Sequence, residues 1–176
     1  MQLITTSSAD LPDILHIQRA AFGGDVEAGL VRDLLNDPTA QPLLSLLARD
    51  DDRAVGHVLF TAARLDAAPR DVSMAILAPL AVVPQAQGQG IGGRLIAHGF
   101  RRLTESGVEL VFVLGDPGYY RRHGFEPALA HGLLPPFPVS PTDAWMVHAL
   151  SPDVLGNVHG TVMCADAMNR PEYWRE

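Results

Sequence analysis

From residue 80 the chain reads Leu80-Ala-Val-Val-Pro-Gln-Ala-Gln-Gly-Gln-Gly-Ile-Gly-Gly-Arg-Leu95. An apolar, strand-like run stops at Pro84, a glycine-rich turn follows, and an amphipathic helix is predicted from about Gly92 to Ser106. Glycines let backbone N–H groups approach a ligand closely and take φ values that other residues resist. A helix start adds unpaired N–H donors and a partial positive charge. Together they can grip a phosphate or pyrophosphate. Further on, Tyr120 brings different chemistry. A phenol, with a reference pKa of about 10, still holds a proton to donate at neutral pH.

Three readings of the glycine turn compete. A P-loop needs Gly-x-x-x-x-Gly-Lys-Ser/Thr, and this chain has no lysine, all 13 of its basic residues being arginine. A Rossmann fingerprint matches literally at Gly88, Gly90 and Gly93, with Asp116 roughly where a ribose-binding acid belongs. There the glycines sit tightly on a strand end, whereas here Pro84-Gln-Ala-Gln87 intervenes. A second mononucleotide half would have to fit into the last 60 or so residues, which are rich in proline. The third reading is Gln/Arg-x-x-Gly-x-Gly/Ala, here Gln87-Gly-Gln-Gly90-Ile-Gly92. It resembles the acetyl-CoA pyrophosphate loop of the GNAT acetyltransferase superfamily. Its alternative is a turn that only links a strand to a helix.

A second motif follows about 30 residues later. After a buried-type strand, Glu109-Leu-Val-Phe-Val-Leu114, the chain breaks at Gly115-Asp-Pro-Gly118. Pro117 suits a first helical turn and Gly124 a helix end. Tyr120-Arg-Arg-His-Gly124-Phe125 resembles the Tyr-x-x-x-Gly-Phe signature of the same superfamily. The longer run from Val113 to Pro127, together with Gly56-His-Val-Leu-Phe60, Leu150-Ser-Pro-Asp-Val-Leu155 and Gly160-Thr-Val162, is similar to the YhbS-like branch. The likeness spans nearly the whole chain and is most specific over residues 80 to 127. His123 departs from it, because the branch more often carries an aromatic there. The tail from Cys164 to Glu176 is not placed by it.

The resemblance implies a GNAT fold, an α/β (α+β) domain over residues 1–176 with a mixed, mostly antiparallel sheet flanked by helices. It implies acetyl-CoA as cosubstrate and transfer to an amine. Backbone N–H groups of Leu80, Ala81, Val82 and Val83 would hold the pantetheine arm and polarise the carbonyl. Gln87, Gly88, Gln89, Gly90, Ile91, Gly92 and Gly93 would hold the pyrophosphate, mainly through the main chain. Gln87 and Arg94 would add side-chain contacts, Arg94 having the alternative of a solvated helix residue. Tyr120 would be the general acid for the leaving thiolate, its alternative being a packing role, and Tyr119 would pack. Some family members use a glutamate on the central strand as base. Met74-Ala-Ile-Leu-Ala-Pro-Leu80 has no carboxylate, which leaves Glu27, His57 or a held water.

Bulk properties narrow the setting. Length suits one domain with an adequate core. A net charge of −7 argues against general nucleic-acid binding and is compatible with a cationic amine. No apolar run reaches the roughly 20 residues that span a bilayer, and the start does not read as a signal peptide. The lone Cys164 excludes an internal disulfide and suits a reducing, cytoplasmic setting, as a small buried hydrophobe in a strand. The histidines lack metal-ligand spacing, so no metal is expected, and no Gly-x-Ser-x-Gly elbow is present. The expected partner is a small-molecule or peptide amine, and a homodimer is left open. The competing function is a CoA-binding sensor or regulatory module without transferase activity.

These residues need positioning. A strand is predicted at Gln2–Thr6, then a helix capped by Ser8 or Asp10 and running to about Phe22, and a second helix from Asp25 to about Asn36. Strands follow at Leu43–Arg49 and Ala54–Leu65, joined by Asp50-Asp-Asp-Arg53. Met74–Val83 is a strand in which Pro79 cannot donate to a ladder and marks an irregularity. Pro135 to Pro141 is an irregular loop, and the last strands are Asp143–Ala149 and Val158–Cys164. The resemblance puts the acceptor surface at Phe22–Val31 and His131–Ala144.

Overall fold

The computed structural model describes residues 1–175. It begins with β1 (Gln2–Thr5), α1 (Leu11–Phe22), α2 (Val26–Leu35), β2 (Leu44–Asp50) and β3 (Arg53–Leu65). Next come β4 (Met74–Val82), α3 (Ile91–Glu105), β5 (Leu110–Leu114) and the one-turn α4 (Pro117–Tyr120). The remaining strands are β6 (Glu126–Pro127), β7 (Leu133–Leu134), β8 (Trp145–Ala149) and β9 (Gly160–Met163). The main sheet runs β1-β2-β3-β4-β5-β8-β6, with β9 on the far end of β3 and β7 beside β9. Its pairs are antiparallel except β4 with β5. This is the mixed, mostly antiparallel sheet flanked by helices that the resemblance implies.

Local chemistry accounts for the boundaries. Ser7 and Asp10 form a reciprocal capping box before α1, the Ser7 N–H reaching Asp10 Oδ2 at 2.8 Å. Ser8 therefore lies inside a 3-10 turn, and Asp10 is the N-cap of α1. Asp51 takes φ 55° at the β2–β3 hairpin, a conformation that short polar side chains tolerate. Along β3 the side chains alternate between layers. A side chain at Gly56 would meet Ile91 and Leu95 of α3, whereas His57 contacts Gln18 of α1. So α1 covers one face and α3 the other.

Two irregularities in β4 matter most. Val58 pairs with Leu80 and Phe60 with Leu77, so Leu59 alone stands opposite Ala78 and Pro79. That is a β-bulge, placed where Pro79 has no N–H to contribute. The parallel pairing of β4 with β5 covers Met74 to Ile76 against Leu110 to Phe112 and then stops. Beyond it β4 continues beside β3 while Val113 and Leu114 pair with β8. The two central strands diverge and leave a gap in the sheet.

His57 lies in the core, away from that gap. Gln18 Nε2 donates to its Nδ1 at 3.0 Å, and its Nε2–H donates to Ser45 Oγ at 2.8 Å, which makes the ring a neutral Nε2–H tautomer. Burial pushes its pKa down from 6.5 to about 3. The unfolded chain therefore takes up this proton first as pH falls. The contribution of the neutral ring is complete above pH 6.5 and is lost between there and about pH 3, at up to about 1.4 kcal/mol per pH unit. Denaturant unfolding from pH 8 to pH 4 should show this slope, and the difference between wild type and His57→Gln should isolate it. Parallel curves for the two proteins would refute the assignment.

Elsewhere the structure adjusts the sequence reading. Thr142–Ala144 is a 3-10 turn, so β8 starts at Trp145, where extended pairing with β5 begins. Cys164 is buried just past the end of β9 rather than within a strand. Two-residue strands β6 and β7 are too short to show a period. The tail is ordered as two 3-10 turns, Asp166–Met168 and Pro171–Trp174. Trp174 anchors it, buried edge-on against Trp145 at 5.5 Å with its indole N–H on Met168 O at 3.0 Å. Among the described residues, no helix is long and apolar enough to cross a membrane.

Candidate active site

The chain leaves β4 through a 3-10 turn, Pro84–Ala86, and enters the glycine turn. The Gln87 carboxamide N–H donates back to Val82 O at 2.9 Å and ties the turn to the strand end. Its side chain is thus a brace within the protein. Gly90 is the N-cap of α3 at φ 79°, a left-handed conformation that glycine adopts without steric cost. The first helical bond runs from Arg94 N–H to Gly90 O at 3.1 Å. The N–H groups of Ile91, Gly92 and Gly93 precede it and are the orphan donors of the helix start. A Cβ on Gly88 or Gly90 would meet nothing within 4 Å, so the space before these donors is open. Gly92 is different, because a side chain there would collide with the Tyr119 hydroxyl.

Hydrogen-bond alternation sorts the strand residues. Val83 N–H bonds Val55 O at 2.9 Å. In an antiparallel ladder successive residues point their N–H groups to opposite sides. Ala81 and Val83 therefore face β3, while Leu80 and Val82 turn their N–H groups toward the gap. Leu80 and Val82 also line the cleft described below, whereas the side chains of Ala81 and Val83 are buried.

The tyrosine motif is built from below. Asp116, which the Rossmann reading would put on a ribose, caps α4 by accepting the Gly118 N–H at 3.0 Å. Gly124 closes the following 3-10 turn at φ 89°. A side chain there would run into the His148 ring at 2.8 Å. The His148 ring stacks on Phe100 at 4.4 Å, and its Nδ1–H donates to Gly124 O at 2.8 Å. Phe125 then drops into the core, with Tyr120 packed edge-on to it at 5.6 Å and to Tyr119 at 5.0 Å. The Tyr120 ring also lies against Gly115, where any Cβ would collide with it. The motif spacing thus fixes one phenol at the mouth of the gap.

Two clefts meet there. The first, about 560 Å³, runs along the glycine turn and α3 start, with Leu80, Val82, Tyr119 and Tyr120 on its walls. Of the sequence-predicted residues, Gln87, Gly88, Gly90, Ile91, Gly92 and Gly93 border it as well. Gln89 and Arg94 are exposed and lie off this wall. The second cleft, about 370 Å³, opens between the start of α2, the bulge of β4 and the tail. Tyr120 and Leu80 border both. Glu27 lines the second cleft, whereas His57 is sealed in the core.

Other residues on these walls are not among the site residues expected from sequence. Arg122 and His123 border the first cleft. Arg122 lies 5.1 Å from the centre of the Tyr119 ring, and His123 lies 4.9 Å from it. Burial and the nearby Arg122 lower the His123 pKa, so its ring is biased to the neutral form. Burial raises the Tyr119 pKa, partly offset by Arg122. The departure of His123 from the family's usual aromatic was the available signal for that pair. Glu172, Tyr173 and Arg175 border the second cleft, and none of His131–Ala144 does. No periodicity or motif in the tail marked them.

Comparison with known proteins agrees with this geometry. The Acetyltransferase (GNAT) domain family matches residues 2–128. The chain is 44% identical over 164 residues to the uncharacterized N-acetyltransferase YjhQ of Escherichia coli K12, covering 92% of this chain and 90% of that protein. It is 38% identical over 162 residues to E. coli K12 YhbS, also an uncharacterized N-acetyltransferase, covering 92% and 94%. The crystal structure of E. coli YhbS in complex with CoA superimposes with a TM-score of 0.88 at 35% identity, over 96% of this chain and 92% of that one. A Brucella melitensis GNAT acetyltransferase in complex with acetyl-CoA gives 0.75 at 27% identity, over 95% and 97%. By fold, by its two motifs and by the extent of these matches, the chain belongs to the GNAT family of N-acetyltransferases.

Proposed function

We propose that the protein transfers the acetyl group of acetyl-CoA to a primary amine by direct attack, with both substrates bound at once. The observation that carries this reading is the shared border of the two clefts at Tyr120 and Leu80. The first cleft suits the donor. It offers main-chain N–H groups and open space at the glycine turn for a pyrophosphate, and the N–H groups of Leu80 and Val82 for the arm and the carbonyl. The relatives solved with CoA and acetyl-CoA support this assignment. The second cleft brings an amine to the same carbonyl.

Three things must then happen. The amine must lose a proton, the carbonyl must be polarised, and the departing thiolate must gain a proton. N–H groups aimed at the carbonyl from the diverging strand stabilise charge developing on its oxygen. Tyr120 supplies the proton to sulfur and regains one from solvent. Glu27, directly or through a water, takes the proton of the amine.

Cys164 gives no alternative route. Its thiol is buried outside both clefts, and burial raises its pKa to about 11, which suppresses the nucleophilic thiolate. A panel of amines with thiol-release detection should find turnover. Intact-mass analysis during turnover should find no acetylated protein, and Cys164→Ala should retain kcat. An acetyl-Cys164 species would overturn direct attack. Tight acetyl-CoA binding without thiol release for any amine class would overturn the transferase reading in favour of a CoA-binding module.

A further inference from the structure

We propose that the acceptor is a free apolar amino acid: a primary amine joined to a carboxylate and an apolar body. This rests on the transferase reading above and concerns the second cleft. Among the described residues four large hydrophobic side chains are exposed, and two of them, Phe22 at 47% and Val26 at 65%, border this one cleft. Tyr173 adds an aromatic wall from the tail. Clustered exposed apolar surface at a cleft marks contact with an apolar partner.

The polar groups on the same walls have a pattern. Glu27 and Glu172 are carboxylates, and Arg175 is a guanidinium. Glu27 suits an ammonium arriving from solvent. Arg175 presents the planar fork that matches a carboxylate. Arg175 is in none of the ion pairs formed among the described residues, and a simple monoamine supplies it no counterpart. A diamine can meet both glutamates but still leaves Arg175 unmet, and a dicarboxylate brings a second anion to the two glutamates. One amine plus one carboxylate satisfies both signs.

The tail that carries these residues is anchored beside them. Trp174 between Tyr173 and Arg175 is buried, and upstream the N–H groups of Asp166 and Ala167 bond Thr39 Oγ1 at 2.8 Å and Asp37 Oδ2 at 2.9 Å. The family-wide match stops at residue 128. The tail side of the cleft, Glu172, Tyr173 and Arg175, is therefore supplied by a segment outside it, while Phe22, Val26 and Glu27 lie within it.

The test measures binding first. Phenylalanine, phenylalaninamide and phenethylamine are titrated into the CoA-loaded protein by calorimetry, and the same compounds are then assayed with acetyl-CoA for thiol release. Phenylalanine should bind about tenfold more tightly than either carboxylate-free analogue, the lower end for an added charge-assisted pair at an exposed arginine. Arg175→Gln should bring that ratio to about one, and Arg175→Lys should restore part of it. Equal or weaker binding of phenylalanine, no binding of any of the three, or equal weakening of all three by Arg175→Gln would overturn the proposal. Arg175-dependent binding of phenylalanine without its acetylation would overturn the acceptor assignment, and the transferase reading would fall with it only if no amine of the panel gave thiol release. Acetylation of all three with no preference would overturn the acceptor assignment and leave the transferase reading standing.

Discussion

Tyr120→Phe should lower kcat by about 10² to 10⁴, the range typical of general acid–base catalysis, while acetyl-CoA binds within a few-fold of wild type. The substitution removes one oxygen and keeps the ring. The ring keeps its contacts with Phe125 at 5.6 Å, Tyr119 at 5.0 Å and the bare backbone of Gly115. The donor cleft should therefore keep its shape while the departing thiolate loses its proton source. Acyl donors with better leaving groups than CoA need less protonation, so the defect should shrink with them. Single-turnover kinetics ensure that chemistry is being measured. A variant that turns over within a few-fold of wild type under those conditions would reduce Tyr120 to a packing residue and leave the proton to water.

Gly90→Val should abolish measurable acetyl-CoA binding and leave a folded protein. Gly90 sits at φ 79°, where a β-branched residue is an outlier and left-handed backbone costs about 1–2 kcal/mol. Relief of that strain would re-aim the N–H groups of Ile91, Gly92 and Gly93. Loss of two charge-assisted hydrogen bonds, at about 1.5–3 kcal/mol each, corresponds to roughly 10²- to 10⁴-fold in Kd. The side chain would also project into the open space where the phosphates would sit. Gly107→Val is the matched control. Its φ of 87° and open surroundings impose similar strain beyond the other end of α3. It should lose comparable stability and keep donor affinity. Calorimetry and circular dichroism on both variants decide the matter. Wild-type affinity in Gly90→Val would remove the glycine turn from the donor site.

Legibility from sequence followed the scale of the feature. The glycine turn, α3 and the Tyr120 motif are local, each written within a few consecutive residues, and they were readable at once. Pro79 announced the bulge because a missing N–H is a property of one residue. The divergence of β4 from β5 could be expected only from family resemblance, since it depends on where a parallel pairing stops. Within the strand, composition could not separate Leu80 and Val82 from Ala81 and Val83. That distinction needs the hydrogen-bond phase set by Val83 and Val55. Gln87 was read as facing a ligand, but its carboxamide closes onto Val82 O. The tail was opaque because two 3-10 turns carry no period and its anchor, Trp174 on Trp145, is a contact between distant residues.

The divergence of the two central strands has a consequence for mechanics. Three residue pairs, Met74 to Ile76 with Leu110 to Phe112, join the β1–β4 half of the sheet to the β5-β8-β6 half. Past them the sheet is unzipped, and the N–H groups of Leu80 and Val82 stand as an open edge inside the molecule. Natural proteins blunt or cover such edges, and under the proposed function the cover here would be a cargo that comes and goes. A pantetheine arm laid along it would act as a removable stitch, tightening the seam on arrival and loosening it on departure. Each turnover would then be a cycle of closing and reopening the fabric of the sheet, and the small body that leaves as CoA would also be the thread.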